Sequence, residues 1–230
     1  MLKTTLPALL LALSASLAAQ DCATMYGYFK EGVSLEYTNY NKKDKVEGVL
    51  THRVSSLEEK SDTLIATINL TTTDAKAKQV TEMSYPMKCF QGVIYVDMRS
   101  MIPQQAGGQQ SPQVELEMTG TDLTYPPDMQ PGQTLPDAEM EMTMRMGGIQ
   151  LMNNRYQIKN RKVEARESVT TAAGTYTCLK ISYDFEYKLM GTRTMRSEFW
   201  YAPEVGMVKT VNYDRKGNVE SRSELTKVEQ

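Results

Sequence analysis

The sequence predicts a mostly all-β protein: one large, strongly curved antiparallel sheet or open β-barrel of about 11–14 strands in meander order, with at most one or two short helices. Three observations predict it. Apolar and polar residues alternate with a period of two through most of the chain, polar turn-forming triplets separate the alternating runs, and helical periodicity is almost absent.

The N-terminal stretch stands apart from this pattern. Lys3 supplies a positive charge, Leu6 to Leu17 form an apolar run rich in Leu and Ala, and Ser16, Ala18 and Ala19 provide small residues, the layout of a secretory leader. Cleavage after Ala18 and cleavage after Ala19 fit equally well. The run is shorter than the roughly 20 apolar residues that span a bilayer, so a permanent anchor is disfavoured. Cys22 follows soon enough to suggest a lipid-modified N-terminal cysteine, but Asp21 stands where such a signal carries a small residue. The expected organisation is a removed signal peptide, residues 1–19, and a single antiparallel β-domain, residues 20–230. The protein is expected to be exported, to the periplasm or out of the cell, with no transmembrane segment after cleavage.

Within the domain, VELEMTGTDL alternates Val114, Leu116 and Met118 with Glu115, Glu117 and Thr119. TYTCLKISYDFEY alternates Leu179, Ile181, Tyr183 and Phe185 with Lys180, Ser182, Asp184 and Glu186. Such runs are strands with one dry and one wet face. The same reading places strands near 33–40, 46–56, 62–72, 77–86, 90–96, 138–146, 149–158, 161–170, 193–202, 205–213 and 218–228. The phrase TNYNKKDKVEGVL, residues 38–50, returns as VNYDRKGNVESRSEL, residues 211–225, with Lys43-Asp44-Lys45 and Lys216-Gly217-Asn218 at the bends. A fainter copy, TTTDAKAKQVTE, bends at Asp74 to Lys78. The repeat is thus a hairpin recipe. One short helix is expected from Asp97 to Ile102, ended by Pro103. PQQAGGQQSPQ, residues 103–113, has no large apolar residue and reads as a flexible loop; the Pro-rich TYPPDMQPGQTLPD, residues 124–137, reads as an ordered connection.

The chain has a formal net charge of −2, made one unit more negative by loss of Lys3, and no basic footprint for nucleic acid. Cys22, Cys89 and Cys178 are the disulfide candidates. In an oxidising compartment two should bridge and one remain as a buried thiol. Three pairings are open, and without a Cys-x-x-Cys motif a redox role has no support. The scattered cysteines and the single histidine, His52, give no zinc pattern.

Several phrases together resemble a known family: FKEGVSLEYTNYNKK, KCFQGVIYVDMRSM, PPDMQPGQTLPDAEMEMTM, NRKVEARESVTTAAGTYTCLKISYDF and EFWYAPEVGMVKTVNYDRKGNVESRSELT. They resemble the TapB-like family of exported bacterial proteins, relatives of domain-of-unknown-function families. The resemblance covers nearly the whole mature chain and is most specific in AGTYTCLKISY and WYAPEVGMVKTVNYD. It implies an exported, mostly β protein without an established activity, so it brings no catalytic residues. The short Gln-rich loop after Met101 departs from the family's usual segment. On architecture alone, the expected curved sheet is also similar to periplasmic lipoprotein carriers, which wrap an apolar groove.

The most unusual stretch is MEMTMRM, in which Met140, Met142, Met144 and Met146 share one strand face opposite Glu141, Thr143 and Arg145. With Met118 and Met152 they form the expected ligand-binding face, because thioether side chains adapt to irregular apolar guests. Ordinary core packing and Cu(I) ligation are the competing readings, but no His or Cys lies near enough in sequence to support copper, and no metal or cofactor is expected. His52 sits in a strand at a surface or ladder position, and no Gly-x-Ser-x-Gly accompanies it. Asp184 and Glu186 share a charged face with Lys180, which argues for a solvated exterior over a glycosidase pair. The C-terminal aromatics from Tyr176 to Tyr201 read as cross-strand pairs, with sugar stacking as the sharper alternative. No catalytic set emerges. The expected function is non-catalytic binding of an apolar or lipid-like molecule, or of an envelope partner protein, through the Met-rich face. The alternatives are a structural or assembly protein with a filled core, and a carboxylate-dependent hydrolase.

Overall fold

A computed structural model describes residues 22–101, 114–188 and 191–230. The expected leader, residues 1–19, and the expected loop, residues 103–113, lie outside the described residues. The chain forms β1 (Ser34–Asn41), β2 (Val46–Lys60), β3 (Thr63–Asp74), β4 (Gln79–Phe90), β5 (Val93–Asp97), β6 (Val114–Gly120), β7 (Asp122–Tyr125), β8 (Ala138–Met146), β9 (Ile149–Thr171), β10 (Gly174–Lys188), β11 (Thr192–Ala202), β12 (Gly206–Tyr213) and β13 (Val219–Glu229). The expected helix near Asp97 is a single 3-10 turn, Met98–Met101.

All 13 strands join one antiparallel sheet in the order β6-β8-β9-β10-β11-β12-β13-β1-β2-β3-β4-β5-β7. The order is the expected meander with two departures: β1 pairs with β13, which brings the first and last strands together, and β6 and β7 exchange places, so that β5 pairs with β7 and β6 with β8. The sheet curls into a nearly closed barrel. Its end strands β6 and β7 are consecutive in sequence, so Thr121 carries the chain straight across the seam. There the Thr121 amide donates to the Glu139 carbonyl at 2.9 Å, and the Glu139 amide donates to Thr121 Oγ1 at 3.0 Å. Gly120 permits the approach: a Cβ at this position would lie 2.6 Å from the Glu139 carbonyl oxygen.

The repeated phrase folds as one turn built three times. Asn41, Asp74 and Asp214 each accept, through the side-chain oxygen Oδ1, the amides two and four residues ahead, at 2.8–3.2 Å. The third residue beyond each turns left-handed: Asp44 at φ 57°, Ala77 at 59° and Gly217 at 79°. Each ladder also shifts register just before the turn, at Asn39/Tyr40, Thr72/Thr73 and Asn212/Tyr213. This is the three-residue hairpin with a bulge, in which an Asx side chain takes up the amides that the tight bend leaves unpaired.

The inward face makes the main core. One end of it is plugged by the segment preceding β1, where Tyr26, Tyr28 and Phe29 are buried and the Tyr26 hydroxyl donates to the Gly92 carbonyl at 2.5 Å. Cys22 bridges to Cys89 in β4, while Cys178 is a buried free thiol. A smaller cluster of Met98, Leu123, Ala138, Met140 and Ile158 packs behind the seam.

Candidate functional site

The inward side chains do not fill the curled sheet. A cavity of about 240 Å³ remains among them, whereas close-packed interiors rarely keep voids larger than a water molecule. Its wall is aromatic and aliphatic. Tyr125 stacks on Tyr201 at 5.9 Å between ring centroids and meets Phe199 edge-on at 5.7 Å. Tyr28 and Tyr201 join hydroxyl to hydroxyl at 3.2 Å. Burial pushes Tyr125 up to about 12 and raises Tyr28, Tyr37, Tyr85 and Tyr201 as well, so these phenols stay neutral at physiological pH.

Two nitrogenous side chains interrupt this wall. The His52 ring lies edge-on to Tyr37 at 5.3 Å and to Tyr85 at 6.2 Å. Its Nε2 is buried without a hydrogen-bond partner among the described residues, and burial lowers its pKa to about 4. At neutral pH it is an uncharged imidazole with an unused hydrogen-bonding atom facing an apolar space. Of the expected surface or ladder position, the ladder one holds: β2 pairs His52 with Leu35 and Leu70, and its half-buried ring lines the cavity.

Arg161 is the second. It is 1% exposed, the largest fully buried side chain among the described residues. Nη1 donates to the Pro136 carbonyl at 2.7 Å, Nη2 donates to the Thr124 carbonyl at 2.9 Å, and Cζ lies 5.0 Å from the centre of the Tyr125 ring. No carboxylate reaches ion-pair distance of it among the described residues, and burial holds the guanidinium below its usual pKa. Its main chain works in the same place: the Leu135 amide donates to the Arg161 carbonyl at 2.9 Å, and Gly132 and Gln133 bond Val163. The Pro-rich connection is thereby ordered against β9 and fills the seam beside β7.

A local irregularity turns Arg161 inward. Asn160 adopts φ 55°, and the β9–β10 ladder shifts between Ser182 and Asp184, so that β9 carries an extra residue there. Ile158 and Arg161 are both buried, three residues apart, where unbroken alternation would alternate 158, 160 and 162. The Asn160 side chain donates to Asp184 at 2.8 Å, which fixes the bulge. Strands expected at 149–158 and 161–170 are thus one continuous strand, and the interruption between them is a bulge. Asn, which tolerates the left-handed region, was the only local signal for it.

The methionine row lies elsewhere. Met140 is buried in the smaller cluster behind the seam, Met118 and Met142 face each other across β6 and β8, and Met144 faces Met152 across β8 and β9. Met118, Met142, Met144 and Met152 are half-buried, and Met146, beside the Gly147-Gly148 turn, is 44% exposed. None of the six lines the cavity; its thioethers come from Met87 and Met207. Burial fades along β8 because the strand runs outward to the hairpin tip, a gradient that alternation alone does not reveal. Among the described residues no Asp or Glu lines the cavity either. Glu186 pairs with Lys159 at 3.0 Å, and Asp184 holds Asn160.

Comparison with known proteins places this architecture. A protein from Bacteroides fragilis described as exported, with a YmcC-like fold, superposes with a TM-score of 0.70 at 22% identity, covering 90% of this chain and 99% of its own. A protein from Parabacteroides distasonis described as a lipoprotein superposes with a TM-score of 0.67 at 21% identity, covering 89% and 99%. At these identities the likeness is one of fold. No curated protein matches the sequence. The DUF3108-like family model matches residues 30–225, and the chain belongs to that family.

Proposed function

We propose that this protein is an exported, non-catalytic binding protein that holds an apolar small molecule inside its curled sheet. The observation that carries this reading is the unfilled space of about 240 Å³ among residues otherwise buried to core levels, such as Tyr37 at 1% and Ile94 at 2% exposure. An apolar cavity of about 150 Å³ already accepts benzene, so this one has room for about ten carbon atoms. Export is supported by the leader pattern, by the Cys22–Cys89 disulfide, which suits an oxidising compartment, and by the descriptions of the two similar structures. The narrower TapB-like resemblance points the same way. A Cys22 sulfur held in a disulfide has no free valence for a lipid, which favours release over anchoring at this residue.

Native mass spectrometry of the protein purified from its own envelope fraction tests the reading. The expected result is a co-purifying small molecule that is lost from Val54→Phe, a substitution that fills the cavity from β2. Recovery of only the bare protein, together with no binding of decanol in calorimetry, overturns it.

A second reading, contact with an envelope partner protein, has its own observation. Met146, Ile149 and Leu151 at the β8–β9 tip are 44%, 70% and 53% exposed, and the methionine face leads up to them. Crosslinking from position 149 in the envelope, abolished by Leu151→Ser, is the expected outcome if this tip is the contact; an unchanged pattern removes it.

A further inference from the structure

Among the described residues Arg161 is the one charged residue on the cavity wall, and no carboxylate stands within ion-pair distance of it; Asp137, next to the Pro136 carbonyl that it holds, acts on it only from a longer distance. Buried charges are ordinarily paired, because a lone ion in a poorly polarisable interior is costly. Here the guanidinium meets two neutral carbonyls and an aromatic face. Those contacts explain how it holds the seam, but neutral groups in the same places would suffice for that. These two bonds, with Tyr125 beside them, leave part of the five N–H donors of a guanidinium free, a fork whose natural complement is a planar, two-oxygen anion.

We propose that the occupant of the cavity is an amphiphile with a carboxylate head, which pairs with Arg161, and an apolar tail of about ten carbons, which lies among the aromatic side chains. The proposal rests on the binding reading above and adds the chemistry of the head group. A single negative charge is specified because only one cation among the described residues lines the space, and a phosphate dianion would bring a charge that no second cationic group among them meets. The remaining wall is apolar or neutral, His52 included, so one end of the cavity wall is built for charge and the rest for hydrocarbon.

Calorimetric titration of the full chain with decanoate and with decanol tests this directly, since the two share a tail and differ in charge. The expected result is at least tenfold tighter binding of decanoate. Arg161→Gln should reduce that preference to less than about threefold, and Arg161→Lys should retain part of it. A measurement that needs no variant uses decanoate labelled with ¹³C at the carboxyl. Bound to the wild-type protein, the head should stay ionised at a pH where the free acid is protonated. Equal affinities for the two ligands, or a bound carboxyl that titrates at or above the free acid, overturn the head-group assignment and leave the cavity reading intact. Binding of neither ligand overturns the cavity reading itself.

Discussion

The Ala77 amide donates to the Asp74 carbonyl at 2.9 Å while Ala77 itself sits at φ 59°. Alanine is disfavoured there by the contact of its Cβ with the backbone. The equivalent residue of the β12–β13 turn is Gly217 at φ 79°, which has no such Cβ. Ala77→Gly is therefore expected to stabilise the protein by about 0.5–1 kcal/mol, net of the extra freedom glycine gives the unfolded chain. Urea unfolding checks it, as an upward shift of the midpoint at unchanged slope.

The Asx side chains of these turns make the converse case. Asp214 accepts from the amides of Lys216 and Asn218 and from the Asn218 side chain, and these bonds hold its carboxyl below the usual range. Asp214→Ala should lower the urea midpoint, and Asp214→Asn should lower it less, because the acceptor survives.

Reduction of Cys22–Cys89 releases a loop with a sequence separation of 67. Chain-entropy reasoning puts the loss at about 4 kcal/mol. The thermal melt in reductant and that of Cys89→Ala should show the same loss relative to the oxidised protein. Cys178 is buried with its pKa raised to about 11 by burial, so it should resist alkylation in the folded protein and react only after unfolding.

His52 makes stability depend on acid. Its folded pKa, about 4, lies below the unfolded value of about 6.5. Between these values the unfolded chain binds the extra proton, so stability is fully present above about pH 6.5 and falls as pH drops toward 4. The loss from this group is at most about 3 kcal/mol. Comparison with His52→Gln in the pH 6.5 to 4.5 window isolates it, since the carboxylates titrate alike in both proteins; parallel curves would exclude the effect.

Gly120 marks the seam. Gly120→Ala drives a Cβ into the Glu139 carbonyl, a backbone atom with no rotamer to yield, and is expected to destabilise by about 2 kcal/mol or more. Faster hydrogen exchange at Thr121 and Glu139 would show the barrel opening at this point.

Much of the architecture was written locally. A period of two depends only on which side of a pleated chain each residue occupies, so β10 could be read from Leu179, Ile181, Tyr183 and Phe185, and the three hairpins from the polar bends at Lys43-Asp44-Lys45, Asp74 to Lys78 and Lys216-Gly217-Asn218. Composition and the leader pattern likewise bear on destination without reference to any fold. The cysteine pairing was not local: Cys22 and Cys89 meet because the segment before β1 plugs the barrel against β4. Nor was the site. His52 and Arg161 look like ordinary strand residues in sequence, and the methionine row looks like the interior, because alternation says which residues share a face but not whether that face is enclosed. Enclosure was decided by the curl of the whole sheet, and the inward turn of Arg161 by one bulged residue, Asn160. The space between opposite walls is a property of strands far apart in the chain, and only their packing together could leave it open.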